Sequence, residues 1–176
     1  SFAFIAKLKG YQEKVKPGKY LMQPNWNNIQ IVDYLRMGQQ EPVKMTYNGA
    51  LEKEDLPEMV CKGKLAQEDE FLELLNSSDA CSKKGFTSEN IMTMFIPNTY
   101  QVYWTYNAQK LFDRCYKEYN RYWNKERLSK AKNLNLTPQE VYILASIVYG
   151  EAQINENEQP RIAQVYLNRL KRGMKL

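Results

Sequence analysis

The strongest constraint in this sequence is a helix start at Thr137-Pro138-Gln139-Glu140. An N-cap threonine can accept a hydrogen bond from the third helical amide, and a glutamate at that third position can reach back to the N-cap amide. Proline suits the first helical position because an N–H there would have no helical partner. The apolar residues that follow recur at helical spacing and are Val141, Ile143, Leu144, Ala145, Ile147 and Val148. We therefore predict a helix that is buried over much of its circumference.

Glu151 stands where this helix is expected to end, because Gly150 and a run of polar residues mark a boundary. It follows Ile147 by four residues and Leu144 by seven, so it should lie on the apolar side of the helix. Partial burial and the negative end of the helix dipole both disfavour an ionised carboxylate, which suits a general acid. The chain has no histidine, so acid–base chemistry near neutral pH would depend on such a group. The alternative is a solvated glutamate without a chemical role.

A second amphipathic segment runs from Pro160 to Arg172. Asn155 and Glu158 resemble a helix start, and Gly173 resembles a helix stop. One face of this predicted helix contains Ile162, Val165, Tyr166 and Arg169. The segment is therefore expected to pack against the helix that carries Glu151.

Asn168 and Arg169 are the polar residues of interest in this segment. They either brace the helix pair or contact a ligand, and the pattern favours neither alternative. Five basic residues and no acidic residue lie between Arg161 and Lys175, so this end of the chain is expected to attract an anionic substrate.

Residues 1–41 alternate strand-like and helical segments. Pro17-Gly18 predicts a turn, and Lys19–Met22 predicts a short strand. Apolar residues from Ile29 to Leu35 lie at roughly helical spacing, and Gly38 follows as a C-cap. We predict a small α/β subdomain over residues 1–41.

Residues 42–106 predict a strand–helix–helix–strand unit. The outer strands are Pro42–Tyr47, in which apolar and polar residues alternate, and Thr99–Trp104. Asn48-Gly49 and Pro97-Asn98 supply turns. Between them we predict two helices, at Lys53–Cys61 and Gln67–Leu75. A polar loop at Asn76–Gly85 and a strand-like apolar run at Met92–Ile96 follow them.

From Ala108 onward the sequence is helical in character. An apolar and aromatic stripe is formed by Leu111, Cys115, Tyr119 and Tyr122. The other face is basic and contains Arg114, Lys117, Arg121 and Lys125. Basic and aromatic residues also occur together in nucleic-acid-binding surfaces. A solvated helix face over a core stripe explains the pattern as well and is preferred, so we expect no nucleic-acid partner.

Composition limits the possible chemistry. The net charge of +5 is mild and suits an anionic partner, and no run of 18 apolar residues could span a membrane. Without histidine, the three cysteines lie too far apart for a recognisable zinc site. Cys61, Cys81 and Cys115 could form one disulfide or stay unpaired and buried. Because the sequence starts without methionine, we expect a piece cut from a longer protein, after a signal or anchor.

Several stretches resemble one known family. The most specific is Leu144-Ala-Ser-Ile-Val-x-x-Glu151, followed by Pro160-x-Ile-Ala-x-Val-Tyr-Leu-Asn-Arg-Leu170 and Gly173-Met-x-Leu176. Phe95-Ile-Pro-Asn-Thr-Tyr100 supports it, and segments near residues 18–20, 35–38 and 46–49 fit more loosely. Together they resemble the endolytic murein transglycosylases, the YceG-like family, over most of the chain.

This resemblance implies an α+β fold in which a LysM-like βααβ module precedes a largely helical catalytic region. The expected domains are the α/β subdomain at 1–41, the LysM-like module at 42–106 and the truncated start of the catalytic domain at 107–176. Truncation is expected because the family continues beyond the motif that ends at Leu176. The resemblance also implies an N-terminal anchor in the inner membrane, with the protein on its periplasmic or extracytoplasmic side.

The resemblance places the family's catalytic glutamate at Glu151. Tyr149 and Gly150 replace the first glutamate and the lysine of the family's usual Ile-Val-Glu-Lys-Glu run, and Asn98 stands where aspartate is usual. Neither of the two missing acids is therefore expected to be essential. Substrate-binding roles are expected for Asn98, Tyr100, Asn168 and Arg169.

The implied activity is non-hydrolytic cleavage of the MurNAc–GlcNAc β-1,4 bond of peptidoglycan with formation of 1,6-anhydroMurNAc, which limits glycan strand length. The expected partners are peptidoglycan strands and peptidoglycan synthases, with no metal and no cofactor. Glu156 or Glu158 could instead serve as the second carboxylate of a hydrolase.

Two other functions are alternatives. One is a non-catalytic glycan-binding module of LysM type. The other is an older label for the family, aminodeoxychorismate lyase, which requires pyridoxal phosphate on a lysine in a phosphate-binding fold. The sequence contains no such pattern.

Overall fold

The computed structural model describes residues 1–49, 52–152 and 156–174. The first 41 residues form two helices that contact each other, α1 (Phe2–Leu8) and α2 (Asn28–Met37), with a 3-10 turn at Tyr11–Glu13 between them. Gly38 ends α2 with φ at 71°, as its sequence position predicted. The helical prediction for this region is confirmed.

The predicted strand Lys19–Met22 is wrong. The Tyr20 hydroxyl donates to Lys16 O at 2.9 Å, and the Tyr20 ring packs edge-on against Tyr34 of α2 at 5.9 Å between centroids. The segment lies along α2 rather than pairing in a sheet. Residues 1–41 therefore contain helices and no strand, which corrects the predicted α/β subdomain.

The two strands and the two helices predicted for the next unit are confirmed, with a third helix between the strands, and the fold is α+β. β1 (Pro42–Tyr47) and β2 (Asn98–Tyr103) pair antiparallel, with Pro42 opposite Tyr103. Their inward side chains alternate along each strand and are Met45, Tyr47, Tyr100 and Val102. The connection contains α3 (Leu56–Cys61), α4 (Glu68–Asn76) and α5 (Ser78–Ser82), with 3-10 turns at Lys53–Asp55 and Ile91–Met94.

Two local predictions within this unit are wrong. The predicted loop at 76–85 contains α5, because the Ser77 hydroxyl accepts a hydrogen bond from a backbone amide of that helix at 3.2 Å. The predicted strand-like run at 92–96 begins as a 3-10 turn, in which the Thr93 hydroxyl donates to Asn90 O at 2.7 Å. In each segment, a side-chain hydroxyl forms a hydrogen bond with a nearby backbone group, and the backbone is helical rather than extended.

The core lies where α6 (Ala108–Tyr122) packs on the βααβ unit. Phe71, Phe95 and Phe112 form a triangle, with ring centroids 6.0, 6.2 and 6.3 Å apart. The predicted stripe of α6 is buried at Leu111, Cys115 and Tyr119, whereas Tyr122 is 40% exposed. The three aromatic rings join α4, the segment before β2, and α6 into one cluster.

All three cysteines are free and buried. Of the two alternatives left open by the sequence, the structure has unpaired thiols. Burial raises the pKa of Cys61 to about 11 and that of Cys115 to about 12. These thiols therefore behave as small apolar core residues.

Three further α-helices follow among the described residues: α7 (Lys125–Asn133), α8 (Pro138–Glu151) and α9 (Gln159–Lys171), with a 3-10 turn at Glu156–Glu158 before α9. The prediction that α8 is buried over much of its circumference is wrong. Leu144 and Val148 are buried, but Ile143 is 45% and Tyr149 is 64% exposed, because α8 meets the core along one side. Within the described ranges, no helix is long and apolar enough to cross a membrane.

The predicted capping box at the start of α8 is confirmed. Thr137 Oγ1 accepts from Glu140 N at 3.2 Å, and Glu140 Oε2 accepts from Thr137 N at 2.7 Å. We expect Thr137→Ala to lower the free energy of unfolding by about 1 kcal/mol, because the Glu140 amide loses its acceptor. Urea unfolding measures the change. Thr137→Ser keeps the hydroxyl and is the matched control, and an equal loss in both variants would contradict a capping role.

The capping box also has a pH dependence. Hydrogen bonds from Thr137 hold the pKa of Glu140 below its usual range. A carboxylate whose pKa is lower in the folded state contributes stability above its unfolded pKa, and loses it as the pH falls through the folded pKa. The difference in unfolding free energy between wild type and Thr137→Ala should therefore become smaller as the pH falls through the folded-state pKa of Glu140.

Candidate active site

Glu151 is the last residue of α8, as the sequence predicted. Its side chain is exposed, so the expected partial burial is wrong. Val148 and Ala152, four residues apart, are buried with 7% and 3% exposure, and they form the inward line of this helix end. Glu151 precedes Ala152 by one residue and is therefore rotated by about 100° from that line. At this end of α8, Ala152 rather than Glu151 therefore faces the core.

Tyr166 of α9 forms a hydrogen bond with the carboxylate of Glu151. The Tyr166 hydroxyl donates to Glu151 Oε1 at 3.4 Å, across the packed pair formed by α8 and α9. The Arg169 guanidinium carbon lies 5.7 Å from the centroid of the Tyr166 ring, within range of a cation–π contact. We call these three residues the Glu151 cluster. In it, a phenol orients the carboxylate and a guanidinium adds positive charge.

The predicted residues of α9 lie in or beside this cluster. Arg169 belongs to it and is half-buried, whereas Asn168 is exposed and its Oδ1 accepts from Gln164 Nε2 at 2.9 Å. α9 contains no acidic residue, and its region exposes Arg161, Lys171 and Arg172. The predicted attraction for an anion is consistent with this surface, although Lys175 lies outside the described residues.

The predicted ends of α9 are confirmed in part. Gly173 has φ at 70°, and Met174 N donates back to Arg169 O at 3.0 Å, which closes the helix. Glu158 occupies the N-cap position but makes no side-chain capping hydrogen bond. Asn155, the other part of the predicted start, lies outside the described residues.

Asn98 and Tyr100 lie in β2. Asn98 is exposed, and its Oδ1 accepts from Thr99 N at 2.7 Å. Tyr100 is 6% exposed and donates its hydroxyl to Ile96 O, and burial raises the pKa of this phenol. Among the described residues, no hydrogen bond joins either side chain to Glu151. Their substrate-binding roles stay predictions, and the contacts of Tyr100 are those of a core residue.

Tyr142 connects α8 to the βααβ unit, a role that the sequence did not single out. Its hydroxyl donates to Phe95 O at 3.2 Å and lies 3.5 Å from the Tyr47 hydroxyl. Burial raises the pKa of Tyr142. The contact lies about 13 Å along the helix from Glu151, at 1.5 Å per residue. The sequence contained one signal for this contact, a tyrosine beside the apolar face of α8, because the hydroxyl of a buried tyrosine usually forms a hydrogen bond.

The Glu151 side chain borders neither of two depressions on the described surface. Both depressions lie beside α4 and α5, bordered by residues that include Asp69, Asn76 and Lys84. In the described ranges, no group of three or more His, Cys, Asp and Glu side chains could hold a metal ion. The described groups at this position are the Glu151 carboxyl group and the Tyr166 phenol.

Comparisons with known proteins give one positive result. Neither the curated proteins nor the solved structures contain a match to this chain. The family model described as the YceG-like family matches residues 1–176, which is the entire chain. The match includes both helices of the Glu151 cluster and the βααβ unit on which α8 is anchored. This protein therefore belongs to the YceG-like family.

Proposed function

We propose that this protein is an endolytic lytic transglycosylase that cleaves the MurNAc–GlcNAc β-1,4 bond of peptidoglycan and so limits glycan strand length. The YceG-like family suggests murein transglycosylase activity at the level of the family. The observation that carries the specific proposal is the Glu151 cluster. It presents an exposed carboxyl group that is hydrogen-bonded to a phenol. This group lies at the end of the motif that most resembles the family, in a chain without histidine.

In this mechanism Glu151 acts first as an acid and then as a base. The protonated carboxyl group donates to the glycosidic oxygen as the bond to C1 of MurNAc breaks, which frees the GlcNAc hydroxyl. The carboxylate then accepts the proton of the MurNAc C6 hydroxyl, whose oxygen bonds to C1. One proton is given and recovered, and no water is consumed. The internal hydroxyl has a high effective concentration, on the order of 10⁵ M or more, so no second carboxylate is required.

The exposure of Glu151 adds a condition to this mechanism. A general acid must be protonated when the substrate is bound, and removal from water favours the protonated form. The described residues leave Glu151 in solvent, so we infer that the bound glycan itself covers the carboxyl group. The hydrogen bond from the Tyr166 hydroxyl to Glu151 Oε1 holds the carboxyl group in position for both proton transfers.

Arg169 and Asn168 have proposed roles in substrate binding. Arg169 lies against the Tyr166 ring, and its charge is proposed to bind the anionic groups of peptidoglycan. Asn168 is exposed one residue before it and offers an amide to sugar hydroxyl groups. In the same proposal Asn98, which is exposed on β2, contributes to the substrate surface, whereas Tyr100 is 6% exposed and supports β2 from the core.

The identity of the reaction products tests the proposed function. The full-length protein is incubated with isolated peptidoglycan, and the released glycans are analysed by mass spectrometry. We expect internal cleavage with 1,6-anhydroMurNAc ends. Reducing MurNAc ends would contradict the proposal and would indicate a hydrolase with a second carboxylate.

Tyr166 gives a more local prediction. We expect Tyr166→Phe to lower kcat on peptidoglycan about three- to tenfold with little change in KM, because one hydrogen bond to the reacting carboxylate is lost while the ring remains. Tyr149→Phe is the matched control, since Tyr149 is 64% exposed and lies two residues before Glu151. Equal losses in both variants, or a change confined to KM, would contradict a role of the Tyr166 hydroxyl in positioning Glu151.

A non-catalytic glycan-binding module of LysM type is the second candidate. The observation in its favour is the antiparallel pairing of β1 and β2 around two or more helices, which is the order expected for such a module. It predicts that peptidoglycan binds without being cleaved. Co-sedimentation with peptidoglycan, measured beside the product analysis, separates the two functions.

We also propose a cellular location and protein partners for this chain. The family resemblance supports an anchor in the inner membrane, a position on the extracytoplasmic side, and contact with peptidoglycan synthases that produce the strands to be cut. Fractionation of cells and cross-linking of the full-length protein in its native membrane test both statements.

A further inference from the structure

Helices α6 and α7 contain a large excess of positive charge. Residues 108–133 contain eight of the 25 Lys and Arg residues and three of the 20 Asp and Glu residues. Their net charge of +5 equals that of the whole chain, so the remaining residues are neutral in sum. The three acidic residues are already paired with cations, in the pairs Lys84–Asp113, Arg114–Glu118 and Lys130–Glu126.

Six cations of these helices are exposed and make no ion pair with any described residue. Lys110 lies in the first turn of α6, and Arg127 contacts Tyr122. The other four are Lys117, Arg121, Lys125 and Lys132. Lys117 and Arg121 are one turn apart on the same face of α6. We call these four residues, together with Tyr122 and Leu128, the α6–α7 basic surface. Charges that make no ion pair within the described part of the chain are available to an anionic partner outside it.

The two helices are held together at this surface. Arg127, in the first turn of α7, donates through Nη1 to Tyr122 O at 2.8 Å. Its guanidinium carbon also lies 4.2 Å from the centroid of the Tyr122 ring. The contact joins the end of α6 to the start of α7, which keeps Arg121 and Lys125 in one region of the surface.

Exposed apolar side chains lie among these cations. Leu128 is 43% exposed and shares a face of α7 with Lys125 and Lys132, at positions i, i+3 and i+7. Tyr122 is 40% exposed at the end of α6. A dissolved polyanion gains little from a leucine between two lysines. At a bilayer surface, by contrast, leucine and tyrosine enter the boundary of headgroups and acyl chains while the cations meet lipid phosphates.

We propose that the α6–α7 basic surface docks this protein on an anionic phospholipid bilayer. Lys117, Arg121, Lys125 and Lys132 contact the phosphates, while Tyr122 and Leu128 enter the headgroup region. This docking does not depend on the proposed glycan cleavage, and its residues are separate from the Glu151 cluster. It would fix a folded part of the chain against the lipid surface, whatever other attachment the protein has.

The test is co-sedimentation of the 176-residue chain with vesicles of phosphatidylcholine, or of phosphatidylcholine and phosphatidylglycerol in equal amounts. We expect binding to the anionic vesicles alone, weakening as NaCl is raised. Replacement of the four cations by Gln should weaken partitioning by at least tenfold, since each cation near an anionic surface contributes roughly fivefold. The matched control replaces four other exposed lysines by Gln, namely Lys7, Lys14, Lys19 and Lys44, with the same change in charge.

Leu128→Gln separates a bilayer from a soluble polyanion. It should weaken binding to anionic vesicles severalfold and leave binding to long-chain polyphosphate unchanged. The proposal is overturned if the two four-residue variants lose vesicle binding equally, because diffuse charge then explains it. It is also overturned if Leu128→Gln binds vesicles as well as wild type, or if the chain does not bind anionic vesicles. Circular dichroism of each variant confirms that it is folded.

Discussion

Replacement of Glu151 by glutamine is expected to lower the rate of peptidoglycan cleavage by about 10²- to 10⁴-fold, the usual contribution of a general acid or base. Glutamine keeps the shape of the side chain and can still accept from Tyr166, but it cannot give and recover a proton. The glycan should still bind, since the cationic and amide side chains of α9 are untouched. Release of soluble glycans from isolated peptidoglycan by the full-length protein measures the rate.

Glu158→Gln is the matched control for this variant. Glu158 is the next acidic residue whose side chain is described, and it is exposed at the start of α9. We expect cleavage close to that of wild type. A large loss in Glu158→Gln together with Glu151→Gln would favour a two-carboxylate hydrolase. Unchanged cleavage in Glu151→Gln would refute the proposed mechanism outright, and the βααβ unit would then become the focus as a binding module.

The largest effect on stability is expected from Phe112→Ala, at about 3–5 kcal/mol of unfolding free energy. Phe112 is fully buried, and its ring packs against Phe71 and Phe95 at 6.2 and 6.3 Å between centroids. Truncation removes buried apolar area, leaves a cavity and breaks two aromatic contacts at once. Domain stabilities are about 5–15 kcal/mol, so this loss is a large part of the total. Chemical denaturation with fluorescence detection measures it.

Tyr122→Ala on the same helix serves as the control for Phe112→Ala. Tyr122 is 40% exposed, so its truncation should cost about 1 kcal/mol or less. Comparable losses at the two positions would mean that α6 is stabilised through its outer face rather than through the aromatic triangle. The same loss at Phe112 should also weaken the docking of α8, because Tyr142 bonds to the backbone of Phe95.

The local elements were predictable where the deciding contacts are short in sequence. The capping box at Thr137 and Glu140 lies within four residues, and the structure contains both of its hydrogen bonds. The turn at Gly38 depends on the freedom of a single residue to adopt a positive φ. The antiparallel order of β1 and β2 followed from alternating patterns bounded by turn residues.

Predictions failed where long-range packing chose between alternatives. Lys19–Met22 has the composition of a strand, but Tyr20 packs on Tyr34, and the segment makes one backbone hydrogen bond beside β1, from Glu41 N to Lys19 O at 2.8 Å, without forming a strand. The apolar residues of α8 were sufficient to predict a helix, but not which of them would meet the core. That choice depends on distant contacts, among them the hydrogen bond from the Tyr142 hydroxyl to Phe95 O at 3.2 Å.

For the candidate site, the sequence alone determined the type of group, the helix end that carries it and the family motif around it. Those features depend on residue identity and on the regular spacing of a helix. Only the tertiary structure determined that Glu151 is exposed and that the Tyr166 hydroxyl lies 3.4 Å from its carboxylate. The physical reason is that burial and hydrogen-bond partners depend on the rotation and docking of whole helices. A rotation of about 100° separates the buried Ala152 position from the exposed position of Glu151.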